Sequence, residues 1–318
     1  MKTIEKLFFV ITVVVIASCE KDPPIPTATG YDSVSDFFSK NNVAMQTYTI
    51  DGTTGGSFIS PQGTIVTIPA NAFLTQSTVP VSGSVTVQFK DIYKKSDMLL
   101  SKMATQTDIG LPLKSGGEFF IKAISSNSAL ILAPGKKITI TQPAMLTGGV
   151  DSLNVQQAFV FGLAPGGIGP ATNEWYPSGG DTVYTTASEY VFNMYQFNTP
   201  ADSGSWCNSD NTSYFSAFPQ TQLTLLPNDN ANIFQTEVFL VFHSVSSMVH
   251  VYCDWSNNNF PYFYAPQGLE CTLVAIGVKS GTLYSSFVPI TIGSNQSVNF
   301  SLNSTNTTAF ISQLKALN

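Results

Sequence analysis

Ser84-Val85-Thr86-Val87-Gln88-Phe89 alternates polar and apolar side chains with period two, and Lys137-Ile138-Thr139-Ile140 does the same further along. Successive side chains of a strand point to opposite faces, so both stretches predict strands with one face buried. Gly55-Gly56, Pro61-Gln62-Gly63, Ser82-Gly83, Ser115-Gly116-Gly117 and Pro134-Gly135 interrupt the chain between such runs. Short strands between regularly spaced turns predict a β-sandwich. The later half gives candidate strands at 157–163, 190–197, 222–226, 237–243, 248–253, 271–278, 283–290 and 296–302, the last with Val298, Phe300 and Leu302 on one face. From Thr308, Phe310, Leu314 and Leu317 recur at i, i+4 and i+7, which predicts a short C-terminal helix. The fold class expected is all-β: two β-sandwich domains in tandem behind an N-terminal tether.

Composition sharpens this. Hydrophobic residues make up 43% of the 318 and charged residues only 11%, which excludes a disordered charged tail, a coiled coil and a highly charged helical protein. All 14 basic residues are Lys, so the chain has no bidentate guanidinium clamp for a phosphate or carboxylate. A net charge of -6 argues against nucleic acid as a partner. Of the 38 aromatic residues 26 lie from Asp151 onward, whereas 12 of the lysines precede it. That shift sets the expected domain boundary, giving 1–18 as a signal peptide, 19–42 as a tether, 43–150 as the first sandwich and 151–318 as an aromatic-rich second one.

Lys2 and Lys6 precede an apolar run at 7–17, too short for a membrane span of ~20 residues and suited to a signal-peptide core. The run ends in Val15-Ile16-Ala17-Ser18-Cys19, which resembles the lipobox of bacterial lipoproteins. The resemblance implies cleavage before Cys19 and acylation of it, and several acyl chains make a stable membrane anchor. Glu20-Lys21-Asp22 resembles the surface-export signal of Bacteroidota lipoproteins, with Pro23 where a second acid is expected. This implies an outer-membrane lipoprotein on the cell surface, with the periplasmic face as the alternative. Pro23-Pro24-Ile25-Pro26 reads as a stiff spacer.

The stretch from Gly55-Gly56-Ser57-Phe58 through Ile68-Pro69-Ala70-Asn71-Ala72-Phe73 resembles the opening of a ZU-five type sandwich. Leu111-Pro112-Leu113-Lys114-Ser115-Gly116-Gly117-Glu118-Phe119 is similar to the central Gly-Gly strand of related domains in Bacteroidota lipoproteins. Pro266-Gln267-Gly268-Leu269-Glu270-Cys271 resembles the small carboxypeptidase-regulatory sandwiches of secreted bacterial proteins. These resemblances imply a fold and not an activity.

Motifs for chemistry are sparse. His243 and His250 are the only histidines and neither belongs to a zinc motif. Pro227-Asn228-Asp229-Asn230 has too few acids for calcium. No nucleophile elbow, Walker loop or dinucleotide fingerprint occurs. No cofactor or metal is expected, and the reading is a non-enzymatic envelope lipoprotein with a binding or structural role, its partner a glycan or another envelope protein; a glycan-binding module is the alternative within binding proteins. A hydrolase with dispersed carboxylates is the alternative from another class.

The strongest candidate site is the run Asp254 to Tyr264, read as a loop between strands, in which Trp255, Asn257, Asn258, Asn259, Phe260, Tyr262 and Tyr264 offer ring faces and amides to a sugar. The competing reading folds these rings over the core. Cys253 and Cys271 stand at the ends of the strands flanking this run, so a hairpin would bring them within reach of a disulfide, with Cys207 as the competing partner. Ser33, Ser152 and Thr182 sit in Asp-Ser/Thr-hydrophobic triplets that resemble Bacteroidota O-glycosylation acceptors.

Overall fold

The computed structural model describes residues 30–150, 156–162, 174–197, 204–228 and 235–318. With 51% strand and 12% helix the chain is all-β. The expected Cys19 anchor and Ser152 lie outside the described residues.

The first fourteen strands are β1 (Gln46–Asp51), β2 (Gly56–Ile59), β3 (Ile65–Ile68), β4 (Phe73–Leu74), β5 (Ser84–Ile92), β6 (Lys114–Ser125), β7 (Ser128–Ala129), β8 (Ile131–Leu132), β9 (Ile138–Pro143), β10 (Gln156–Phe161), β11 (Trp175–Pro177), β12 (Thr182–Thr185), β13 (Glu189–Met194) and β14 (Ser205–Asn211). One sheet runs β1-β5-β6-β14-β10-β11 with β7 on β6, and the other runs β12-β13-β9-β3-β2. Val85, Val87 and Phe89 of β5, Ile138 and Ile140 of β9, and Phe119 and Phe192 fill one core between them. The alternation at 84–89 and 137–140 is thus the inward face of two facing sheets.

The second sandwich comprises β15 (Gln220–Pro227), β16 (Thr236–Phe242), β17 (Met248–Val251), β18 (Phe260–Pro266), β19 (Glu270–Lys279), β20 (Thr282–Thr291), β21 (Gln296–Phe300) and β22 (Asn303–Thr305). Its sheets are β17-β16-β19-β20-β22 and β18-β15-β21, in which β15 and β21 run parallel.

Two expected boundaries are corrected. Strands β10, β11 and β14 join the sheet of β5 and β6, and β13 pairs with β9, so the first sandwich extends to Asn211 rather than stopping at 150. The change in aromatic and lysine content near 151 does not follow strand pairing: the free edge of β6 needs a partner, and β14 supplies it from far along the chain. Nor is 19–42 all tether. Helix α1 (Val34–Asn41) is capped by Ser33, whose Oγ accepts from Asp36 N, and it buries Val34, Phe37 and Phe38.

A third apolar cluster fills the seam between the sandwiches. It joins Phe37 and Phe38 to Met98 and Leu99 of α2 (Lys95–Leu100), Phe159 and Trp175 of the first sandwich, Phe239 and Met248 of the second, and Phe310 and Leu314 of α3 (Thr307–Lys315). The predicted C-terminal helix is therefore present, with its i, i+4 pair turned into this seam.

A candidate binding groove between the sandwiches

Residues 101–113 strap the two sandwiches together. Thr105 N donates to Met248 O (2.8 Å), Trp175 N to Gln106 O (3.1 Å), and the buried Trp175 indole Nε1 to Ala104 O (2.8 Å). Gln106 Oε1 accepts from His250 N at 2.6 Å. Along β17, Val249 and Val251 enter the second core, so His250 and then Tyr252 fall on the seam side. His250 lies between Phe239 (ring centroids 4.8 Å) and Tyr252 (4.5 Å).

Beside this strap a groove of about 330 Å³ opens, with Asp108, Ile109 and Glu174 on the first-sandwich wall and His250, Tyr252, Phe263 and Tyr264 on the second. Tyr252 and Phe263 expose 44% and 59% of their surface. Burial pushes the Tyr252 phenol up to about 12, and the negative charges of Glu174 and Glu237 add to the shift, so the ring keeps its O–H as a donor. His250 Nε2 is 2.6 Å from Glu237 Oε2, and Lys102 Nζ is 2.7 Å from Glu237 Oε1. Burial opposes the charge on Glu237, but its bonds to His250 and Lys102 prevail and hold it down at about 2. This paired carboxylate fixes the histidine at the groove floor.

The structure divides the expected sugar-binding run. Its second half is not loop but strand β18, on which Phe260 (1% exposed) enters the second core against Phe300. Tyr262 is almost fully buried, although it reaches the groove wall together with Tyr264. Trp255 is 57% exposed but does not line the groove. Asn257 and Asn258 are exposed on a turn organised by Asp254, whose Oδ1 accepts from the Ser256 and Asn257 amides and whose Oδ2 accepts from Asn257 Nδ2. Asn259 closes that turn by a bridge to Asp254. Period two explains the split: alternate rings of β18 face inward and leave Phe263 outward. Tyr252, Asp108 and Glu174 were missed because they belong to separate elements far apart in sequence.

The predicted Cys253–Cys271 disulfide is also corrected. All three described cysteines are free. Strand β16 lies between β17 and β19, so the two strands are parallel and not a hairpin. Cys271 is level with Phe242, whereas Cys253 follows Val251, which is level with Val238. That separates them by about six residues along the sheet, roughly 20 Å at the ordinary strand rise, far beyond the ~4.4–6.8 Å between Cα atoms that a bridge requires.

Of the other candidates, Ser33 uses its hydroxyl as the α1 cap, and Thr182 is exposed on β12. His243 Nε2 is 2.8 Å from Thr272 Oγ1. Among the described residues no three of His, Cys, Asp or Glu gather in a metal-binding group. No family model matches the chain, and no curated protein or solved structure matches it.

Proposed function

We propose that this chain is an exported lipoprotein, anchored through acylated Cys19, that binds a glycan in the groove between its sandwiches. The observation that carries the binding role is the pairing of exposed Tyr252 and Phe263 rings with the Asp108 and Glu174 carboxylates around one concave surface. Ring faces stack on the apolar faces of a sugar, and carboxylates accept from its hydroxyls. Pockets of several hundred Å³ suit small ligands. The acidic lining selects against anionic polysaccharides and favours a neutral or amino sugar.

The test is a glycan array probed with the body from Gly30 onward. Phe263→Ala and Tyr252→Ala are expected to weaken binding by 5- to 150-fold, about 1–3 kcal/mol each, while Trp255→Ala leaves it intact. Loss of binding on Trp255→Ala alone, or no glycan bound by the wild type, overturns the groove assignment. The anchor is tested separately by metabolic labelling with a palmitate analogue, which Cys19→Ala should abolish.

A further inference from the structure

Glu118 and Asp210 are both fully buried, and among the described residues none of their four carboxylate oxygens has a hydrogen-bond partner. Buried polar groups are normally paired, and an unpaired buried carboxylate is costly. The β6–β14 register brings the two together. Glu118 is opposite Asn208 and Asp210 is opposite Ser115, with an irregularity between the two pairs where Gly116 and Gly117 face Ser209.

The face is fixed by the neighbours. Phe119 and Cys207 pair across the same two strands and both enter the first core, so Glu118 and Asn208 point the other way. On that side Glu118 is flanked by Ile92 and Asn208 by Phe159, two residues of the apolar seam. Asp210, two residues from Asn208, shares the face. Over it passes the turn after β16, held by Ser115 N donating to Ser246 O at 2.8 Å. Lys90, on the same face, is engaged elsewhere: its Nζ donates to Asn42 Oδ1 (3.4 Å) and lies over the Trp206 ring.

Asn208 is a second sign of a missing partner. It is fully buried; its Oδ1 accepts from Ser115 Oγ (2.8 Å), while its Nδ2 has no partner among the described residues. Ser115 Oγ can accept as readily as donate, so turning the amide over satisfies Nδ2 and leaves Oδ1 free. The cluster then presents only oxygen: two from Glu118, two from Asp210 and one from Asn208.

We propose that a divalent calcium-type cation is held by Glu118 and Asp210, with Asn208 as a further ligand, and pins the first sandwich against the seam. The donor set has no nitrogen or thiolate to favour zinc. Calcium accepts bidentate carboxylates and sheds water readily, whereas magnesium keeps several waters that a dry seam does not provide. The competing occupant is a proton. Burial holds both carboxyls well above their ordinary range, with the Asp210 charge adding to the effect on Glu118, so without a cation the pair favours protons, and the stability this gives falls progressively as pH rises from the ordinary carboxylate range toward those raised values.

The experiment uses the full chain purified without chelator. Expected are about one equivalent of calcium by elemental analysis, a Tm lower by roughly 5 °C in EGTA at pH 8 and its recovery with calcium chloride. In EGTA the Tm should rise on acidification to pH 5, and with calcium that slope should flatten. Glu118→Gln with Asp210→Asn should be insensitive to calcium and, at pH 8, at least as stable as the wild type in EGTA. Absence of bound metal, together with a Tm that responds to pH but not to EGTA or calcium, assigns the site to a proton and overturns the proposal. The wild-type measurements decide it even if the double variant does not fold.

Discussion

Phe37 of the N-terminal helix meets Phe310 of the C-terminal helix edge to face, with ring centroids 5.5 Å apart and planes at 84°. Both rings are fully buried, so the seam is closed by residues from the two ends of the described chain. Phe37→Ala is expected to destabilise the protein by ~3–5 kcal/mol through the cavity it leaves. Urea denaturation followed by tryptophan fluorescence checks this, because Trp175 lies in the same cluster. A loss below 1 kcal/mol would mean that α1 does not belong to the core.

Gly117 adopts φ +125° and sits against the Tyr93 ring, and a Cβ there would approach Gln142 Nε2 to 2.7 Å. Gln142 in turn donates to Gly117 O and accepts from Ser209 Oγ. Gly117→Ala therefore adds backbone strain to a clash with a buried hydrogen-bonded network. The expected cost exceeds about 3 kcal/mol, read as a fall in the denaturation midpoint, whereas Gly83→Ala, with open space around it, pays only for its backbone conformation and should cost about 1 kcal/mol.

The pairing of Glu237 with His250 and Lys102 sets an acid limit. Its folded pKa, about 2, lies below the ordinary 4.5. The stability this shift contributes is thus present above pH 4.5 and is lost as pH falls toward 2, an amount on the order of 3 kcal/mol. Glu237→Gln should be less stable than the wild type at pH 6, with the two converging near pH 2. Parallel pH profiles for the two proteins would show that the shift is absent.

Thiol chemistry distinguishes the three described cysteines. Cys207 and Cys271 are buried and Cys253 is half-buried. Burial raises all three thiols, that of Cys271 to about 12. Native protein should incorporate one maleimide quickly, at Cys253, and two more only after denaturation without reductant. Peptide mapping that finds Cys253 linked to Cys271 would contradict the strand order of the second sandwich.

Strands were legible where the pattern is strong, either alternating as in β5 and β9 or continuously apolar as in β16 and β19, which are buried on both faces. The ends of β16 and β19 fall within one residue of those expected, and β5 and β9 run three residues further. Strand β14 was not, because Ser205-Trp206-Cys207-Asn208-Ser209-Asp210-Asn211 has the composition of a turn. Its polar side chains are buried, Ser209 against Gln142 of β9 and Asn208 against Ser115, a context no local pattern encodes. Helix α1 was hidden for a related reason. Its three buried residues occupy one narrow stripe on a segment of two turns, and the rings they meet, Phe239 and Phe310, lie far along the chain. The groove shares that origin, since each wall is assembled from a different sandwich.

The Tyr31 hydroxyl lies 3.0 Å from Thr307 Oγ1, beside the point where α1 meets α3, and this constrains the order in which the molecule can fold. The first sandwich has all its strands once Asn211 has been delivered. Helix α1, though made before any of them, meets Phe310 through Phe37 and Phe239 through Phe38, so its docking is complete only when the second sandwich and then α3 arrive. During that interval Phe37 and Phe38 lack these partners, and the Phe37–Phe310 contact that closes the seam spans almost the whole described chain, the slowest kind to form. A chain cut short before Thr307 therefore leaves Phe37 without its Phe310 partner, and exposed apolar surface of that kind makes incompletely folded chains prone to aggregate.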